Sequence, residues 1–126
     1  MKQKSIKKLI NKWVYRLGLR WWTVTINYYD DAREIIRIFG NDSERTVIAR
    51  TYSDWRYATC VIEINLPELL DMTKEESERV IVHELCHALV NEMREDGIDH
   101  EERVVTGLTK AFLWTQSDCL EGDNSG

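Results

Sequence analysis

VIVHELCHALV, residues 80–90, decides how this chain reads. It holds two of the chain's three histidines, four residues apart, with a glutamate directly after the first. Residues i and i+4 of a helix lie on one face, one above the other, so His83 and His87 can converge on a single metal ion. Zinc takes neutral imidazole nitrogens at about 2.0–2.1 Å and keeps a fourth position for water in catalytic sites. Glu84 then points to the side, where it can serve as general base toward that water. The frame of Val80, Ile81, Val82, Leu85, Ala88 and Val90 makes the segment a buried helix. Two histidines and a glutamate with no cation nearby are costly to bury without a metal. The expected cofactor is Zn²⁺, with His83 and His87 as ligands and Glu84 as the catalytic residue.

Working outward, the helix has a marked start. Thr73-Lys74-Glu75-Glu76 is a capping box, in which the threonine hydroxyl takes the N3 amide and the glutamate reaches back to the cap amide. Glu75, Glu76 and Glu78 lie where the helix dipole favours negative charge. The helix is expected to run to about Met93, with Gly97 as a stop. Asp99-His100-Glu101-Glu102 then resembles a second N-terminal box. It opens a helix through Val104, Val105, Leu108, Ala111 and Phe112 to about Thr115.

That second helix must supply the third ligand, and GIDHEERVV offers His100, Glu101 and Glu102. At about 100° per residue, Glu101 falls near the centre of the apolar stripe, His100 at its edge and Glu102 well off it. Glu102 already has a role as the N3 member of the cap. A charge at the centre of an apolar face needs a partner, so Glu101 is the expected third metal ligand. His100 is the alternative, either as a ligand or as a residue orienting one.

Before the motif, residues 3–17 read as an amphipathic helix stopped near Gly18. WWTVTINYYD, 21–30, alternates like a half-buried strand, with Trp22, Val24, Ile26 and Tyr28 on one face. IIRIFGND, 35–42, reads as a short strand ending in a turn, RTVIARTYS, 45–53, as another, and YATCVIEIN, 57–65, as a fourth closed by Pro67. The whole is expected to be an α+β domain: an N-terminal helix, a three- to four-stranded mostly antiparallel sheet, and helices packed on one face. Residues 1–117 form a single domain, and 118–126 a flexible C-terminal tail.

Composition sets bounds. With 126 residues, 43% hydrophobic and 31% charged, one soluble domain with a real core is expected. The formal net charge of −5 argues against bulk nucleic-acid binding. No apolar run is long enough to span a membrane, and the basic N-terminus lacks the apolar region of a signal peptide. Three unpaired cysteines, Cys60, Cys86 and Cys119, suggest a reducing, cytoplasmic setting. Cys86 reads as a small buried hydrophobe.

HELCHALV following VIEINLPELL resembles compact zinc metallopeptidases of the zincin group. Two branches are similar. The minimal gluzincin-type domains, often encoded by phages and prophages, share an N-terminal helix, an LGL..W.VTI strand, an A..VIEINL strand, the HExxH helix and a final HEERVVTGL helix, over most of residues 5–115. The SprT-like proteases place a histidine about where His100 stands, but usually continue His-Gly-aromatic, and no cysteine-rich ribbon follows here. The resemblance implies a zinc metallopeptidase that hydrolyses peptide bonds through a zinc-bound water, with Glu84 as base and a glutamate of HEERVV as third ligand. It also implies a peptide or protein substrate added along an edge strand, here Cys60–Asn65. Tyr52, Tyr57, Arg103 and His100 are candidate oxyanion donors. Two other readings are a non-catalytic, zinc-stabilised protein-interaction module and a DNA-associated protease using Lys7, Lys8 and Lys12.

Overall fold

A computed structural model describes residues 2–40, 47–91 and 101–125, with backbone only from 117 onward. The order is α1 (Gln3–Arg16), β1 (Thr23–Tyr29), α2 (Ala32–Phe39), β2 (Ala49–Asp54), β3 (Thr59–Asn65), α3 (Leu66–Leu70), α4 (Lys74–Leu89) and α5 (Glu101–Ser125). This is an α+β arrangement, as the sequence implies.

The first helix ends as its sequence dictates. Gly18 takes φ +74, the left-handed conformation that glycine adopts without steric cost. Its amide bonds the carbonyl of Tyr15 at 3.2 Å, and Leu19 N–H bonds that of Val14 at 2.9 Å. These two bonds form a Schellman cap. Ile6, Leu9, Ile10 and Trp13 line the buried face of α1.

Of the stretch 35–42 read as a strand, the described residues 35–40 form none: Ile35–Phe39 belong to α2 and Gly40 follows it, while Asn41 and Asp42 lie outside the described residues. The Asp31 side chain caps this helix, accepting from the amides of Arg33 at 2.8 Å and Glu34 at 3.4 Å. Gly40, at φ +85, ends it. Ile35, Ile38 and Phe39 are its partly buried residues, spaced i, i+3, i+4. That is helical periodicity, and it outweighs the β preference of the isoleucines.

The sheet has three strands in the order β1-β3-β2. It is mixed, not mostly antiparallel: β1 pairs parallel with β3, and β2 antiparallel with it. The strand expected to present a free edge, Cys60–Asn65, is therefore the central one. Its backbone is occupied on both sides, and β1 and β2 are the edges among the described residues. The physical reason lies in burial. Cys60, Ile62 and Ile64 are buried on one face, and Glu63 and Asn65 are buried on the other. A strand closed on both faces belongs in the interior of a sheet.

The inner face of β3 meets Ile81, Val82, Leu85 and Cys86 of α4 and the apolar stripe of α1, and Val105 of α5 completes the core. On the outer face Glu63 accepts from the Tyr29 hydroxyl at 3.1 Å and pairs with Arg50 at 3.5 Å. Arg50 also donates to the carbonyl of Ile38 in α2.

Between α1, α4 and α5 lies one buried carboxylate. Glu78 accepts from Lys12 Nζ and Trp13 Nε1, both at 2.8 Å, and from Gln116 Nε2 at 3.3 Å. Burial opposes its charge, but the Lys12 and Trp13 donors, the Lys12 charge and Gln116 outweigh that and hold its pKa below the ordinary value.

The α5 backbone is helical as far as Ser125, past the expected end near Thr115 and through most of the stretch 118–126 expected as a tail. No helix among the described residues is long and apolar enough to cross a membrane. Gly97, Asp99 and His100 lie outside the described residues.

Candidate metal centre

The start of α4 fixes the height of the site. The Thr73 hydroxyl accepts from the Glu76 amide at 3.2 Å and donates to the Glu76 carboxylate at 2.9 Å. The glutamate thus meets the threonine hydroxyl, where the sequence suggested the cap amide. From this cap α4 runs with Ile81, Val82, Leu85, Cys86 and Ala88 buried against the core. His83 and His87 are the less buried positions in that run, at the margin of the packed face. Their rings meet edge to face, with centroids 5.0 Å apart. Ligand atoms of His83, Glu84 and His87 lie within 4.8 Å of one another.

Helix α5 brings two carboxylates to these rings. Glu102 spans both Nε2 atoms, with Oε1 at 2.8 Å from His87 and Oε2 at 3.3 Å from His83. Glu101 lies behind, with Oε2 at 2.9 Å from His87 Nδ1. The side chain of Glu101 is 13% exposed and that of Glu102 70%.

The geometry thus brings Glu102, not Glu101, to the Nε2 atoms of both histidines. The helical-wheel argument assigned the ligand to the centre of the α5 stripe. The histidines, however, stand at the margin of the α4–α5 contact, so the residue that reaches their outer nitrogens comes from the margin of α5. The charge at the stripe centre has its partner in His87 Nδ1.

A carboxylate only accepts hydrogen bonds, and a neutral imidazole has one N–H. His87 faces carboxylate oxygens at both nitrogens. A neutral His87 that donates Nδ1–H to Glu101 would leave Nε2 as a lone pair aimed at Glu102, itself an acceptor, whereas an imidazolium would donate to both. Burial, chiefly, holds the pKa of His83 below its ordinary value, its repulsion from His87 adds to this, and the Glu102 carboxylate opposes both. A neutral His83 likewise offers a lone pair to a metal. A divalent cation among these acceptors could satisfy them, since zinc takes imidazole nitrogens and carboxylate oxygens as ligands. His83, His87 and Glu102 are thus residues that could hold a zinc ion, and Glu101 lies where it could orient the His87 ring from behind.

Glu84 is buried beside this set and accepts from the Thr51 hydroxyl of β2 at 3.1 Å. Burial pushes its pKa up to about 7, against the lowering effect of His87 and Thr51, while Glu102 adds to the rise. An open groove of about 420 Å³ runs past the three motif side chains and Glu102, and its other lining residues are Val47, Ile48, Ala49, Arg79 and Val80.

Thr51 is the site residue that sequence reasoning missed, and Glu102, one of the three candidates in GIDHEERVV, is the one it set aside for a capping role. Thr51 carried no local signal, since only the strand order puts it against α4. Among the candidate oxyanion donors, Tyr52 lies on the outer face under the Arg50 guanidinium, 5.0 Å from ring centroid to cation, and Tyr57 is exposed in the turn between β2 and β3. Tyr52, Tyr57 and Arg103 do not line the groove. Cys60 and Cys86 are buried free thiols.

Compared with protein-family models, with curated proteins and with solved structures, the chain finds no match.

Proposed function

We propose that this chain is a zinc-dependent metallopeptidase of compact zincin type, in which His83, His87 and Glu102 hold the metal and Glu84 is the general base. One observation carries the reading. Two imidazole Nε2 atoms and the Glu102 carboxylate converge on one point, beside a buried glutamate and at the floor of an open groove.

Zinc bound there supplies a polarised carbonyl and an acidified water. The chain's own residues do the rest. Glu101 holds the His87 ring by its Nδ1–H. Thr51 occupies Glu84 Oε1 and leaves Oε2 to take the proton of the attacking water. Glu84 has to accept that proton and then give it to the leaving amine. The substrate lies extended along the outer edge of β2, the strand that carries Thr51, and backbone hydrogen bonds hold it there.

Glu84→Gln separates this reading from a zinc-stabilised interaction module. The variant keeps about one zinc per chain by elemental analysis and loses peptide cleavage. Full function of Glu84→Gln in an assay of the biological role would end the peptidase reading.

A further inference from the structure

The groove beside the candidate metal centre carries one basic side chain of its own, Arg79. It is exposed and stands four residues before His83 on α4, on the same helix face. The other acidic and basic groups along the groove are Glu84, Glu102 and the two histidines, all engaged with one another or with Thr51. Arg79 has no ion pair among the described residues. The rest of the lining at its end of the groove is apolar: Val47, Ile48, Ala49 and Val80.

We propose that Arg79 selects substrates bearing a carboxylate about two residues from the bond that is cut. The inference rests on the peptidase reading and gives it a substrate class: an acidic residue in an otherwise apolar, extended segment.

The register follows from the fold. Ala49 lines the groove with Val80, and Thr51 bonds Glu84, so β2 and α4 advance together from Arg79 toward the metal centre. Four residues of helix rise about 6 Å. An extended peptide covers that distance in about two residues, at about 3.3 Å each. Side chains two apart on a strand share a face. A residue whose side chain faces α4 beside His83 therefore has its second neighbour facing the helix beside Arg79. A guanidinium pairs a carboxylate through two parallel N–H donors, which fixes position as well as charge. An apolar floor strengthens that pair by excluding water from one side.

The test uses zinc-loaded protein and separates binding from cleavage. Glu84→Gln protein is titrated by fluorescence anisotropy with labelled, C-terminally amidated ten-residue peptides that are alanine- and valine-based. They carry a single Glu, Ala or Lys at each position in turn, and a parallel set carries a free C-terminal carboxylate instead. The Glu peptides are expected to bind about fivefold tighter than the Ala peptides, the upper range for a solvent-accessible ion pair. The preference should shrink as salt rises, vanish in Glu84→Gln/Arg79→Ala and turn to Lys in Glu84→Gln/Arg79→Glu. Preference for the free-carboxylate set alone identifies the chain terminus as the recognised group. No charge preference, or one that survives Arg79→Ala at unchanged zinc content and melting temperature, overturns the proposal. Protein with Glu84 intact is then given the same peptides, and the cuts are mapped by mass spectrometry. Acid-selective binding reversed by Arg79→Glu, with no cleavage by any preparation, keeps the role of Arg79 as a recognition residue and sinks the peptidase reading. Cleavage indifferent to acidic residues does the opposite.

Discussion

The hydroxyl of Thr51 and the carboxylate of Glu84 are joined by a 3.1 Å hydrogen bond that ties the edge strand to the motif helix. The bond stabilises the ionised carboxylate, and Thr51 is among the groups lowering the Glu84 pKa against burial. Thr51→Val removes the donor while keeping the shape. The Glu84 pKa then rises, and the base is protonated over a wider range. The acid limb of kcat/KM should move to higher pH, with zinc content unchanged. Stability should fall by about 1 kcal/mol, the ordinary net worth of a hydrogen bond. A pH–rate profile of the variant that overlays the wild type removes Thr51 from the base.

Glu101 and Glu102 are neighbours in sequence with different places at the site, one at His87 Nδ1 and one at the two Nε2 atoms. Glu102→Ala should therefore abolish tight zinc binding. Glu101→Ala should weaken it by about 10–100-fold, the usual effect of losing a group that orients a ligand. Competition with a chromogenic chelator measures both. The reverse order returns the third position to Glu101.

That pair also shows what the sequence could convey. The HExxH helix, its Thr73 cap, the Gly18 stop and the inward face of Cys60, Ile62 and Ile64 are all local patterns, and local patterns are legible. The choice between Glu101 and Glu102 depends on how α5 is rotated against α4, which is a tertiary fact. The central place of β3 likewise depends on pairing, although the polar residues Glu63 and Asn65 on its second face disguised how deeply it is buried. The missed helix α2 had a different cause. Its cap, Asp31, lies four residues before the window in which a strand was read, so the decisive signal fell outside it.

Glu78 makes the joint between α1, α4 and α5 sensitive to acid. Its folded pKa is below the unfolded value, so its stabilisation is present above the unfolded pKa, about 4.5. That stabilisation is lost as pH falls through the folded value. Glu78→Gln should lower stability at pH 7 by roughly 1.5–3 kcal/mol, the range for bonds to a charged group. It should also flatten the stability curve below about pH 4.5. Urea melts at pH 7 and pH 3.5 decide this: equal losses at both would mean that the Glu78 charge is not what the donors hold.

Glu84 has the opposite sign. In metal-free protein its folded pKa is about 7, above the ordinary 4.5 of an unfolded glutamate. Between those values the folded chain binds more protons than the unfolded one, so stability falls as pH rises through that window. Above pH 7 the folded chain must bury an ionised carboxylate at its full desolvation cost. Glu84→Gln has no such charge, so the apo variant should gain on the apo wild type as pH goes from 5 to 8. Zinc reverses the wild type's disadvantage, because a cation beside the carboxylate favours its charged form. Thermal melts of both proteins, with chelator and with zinc at pH 5 and pH 8, give the comparison. A gap between variant and wild type that does not change with pH in the chelated protein would show that Glu84 keeps an ordinary pKa. Its fitness as the base would then rest on the metal alone.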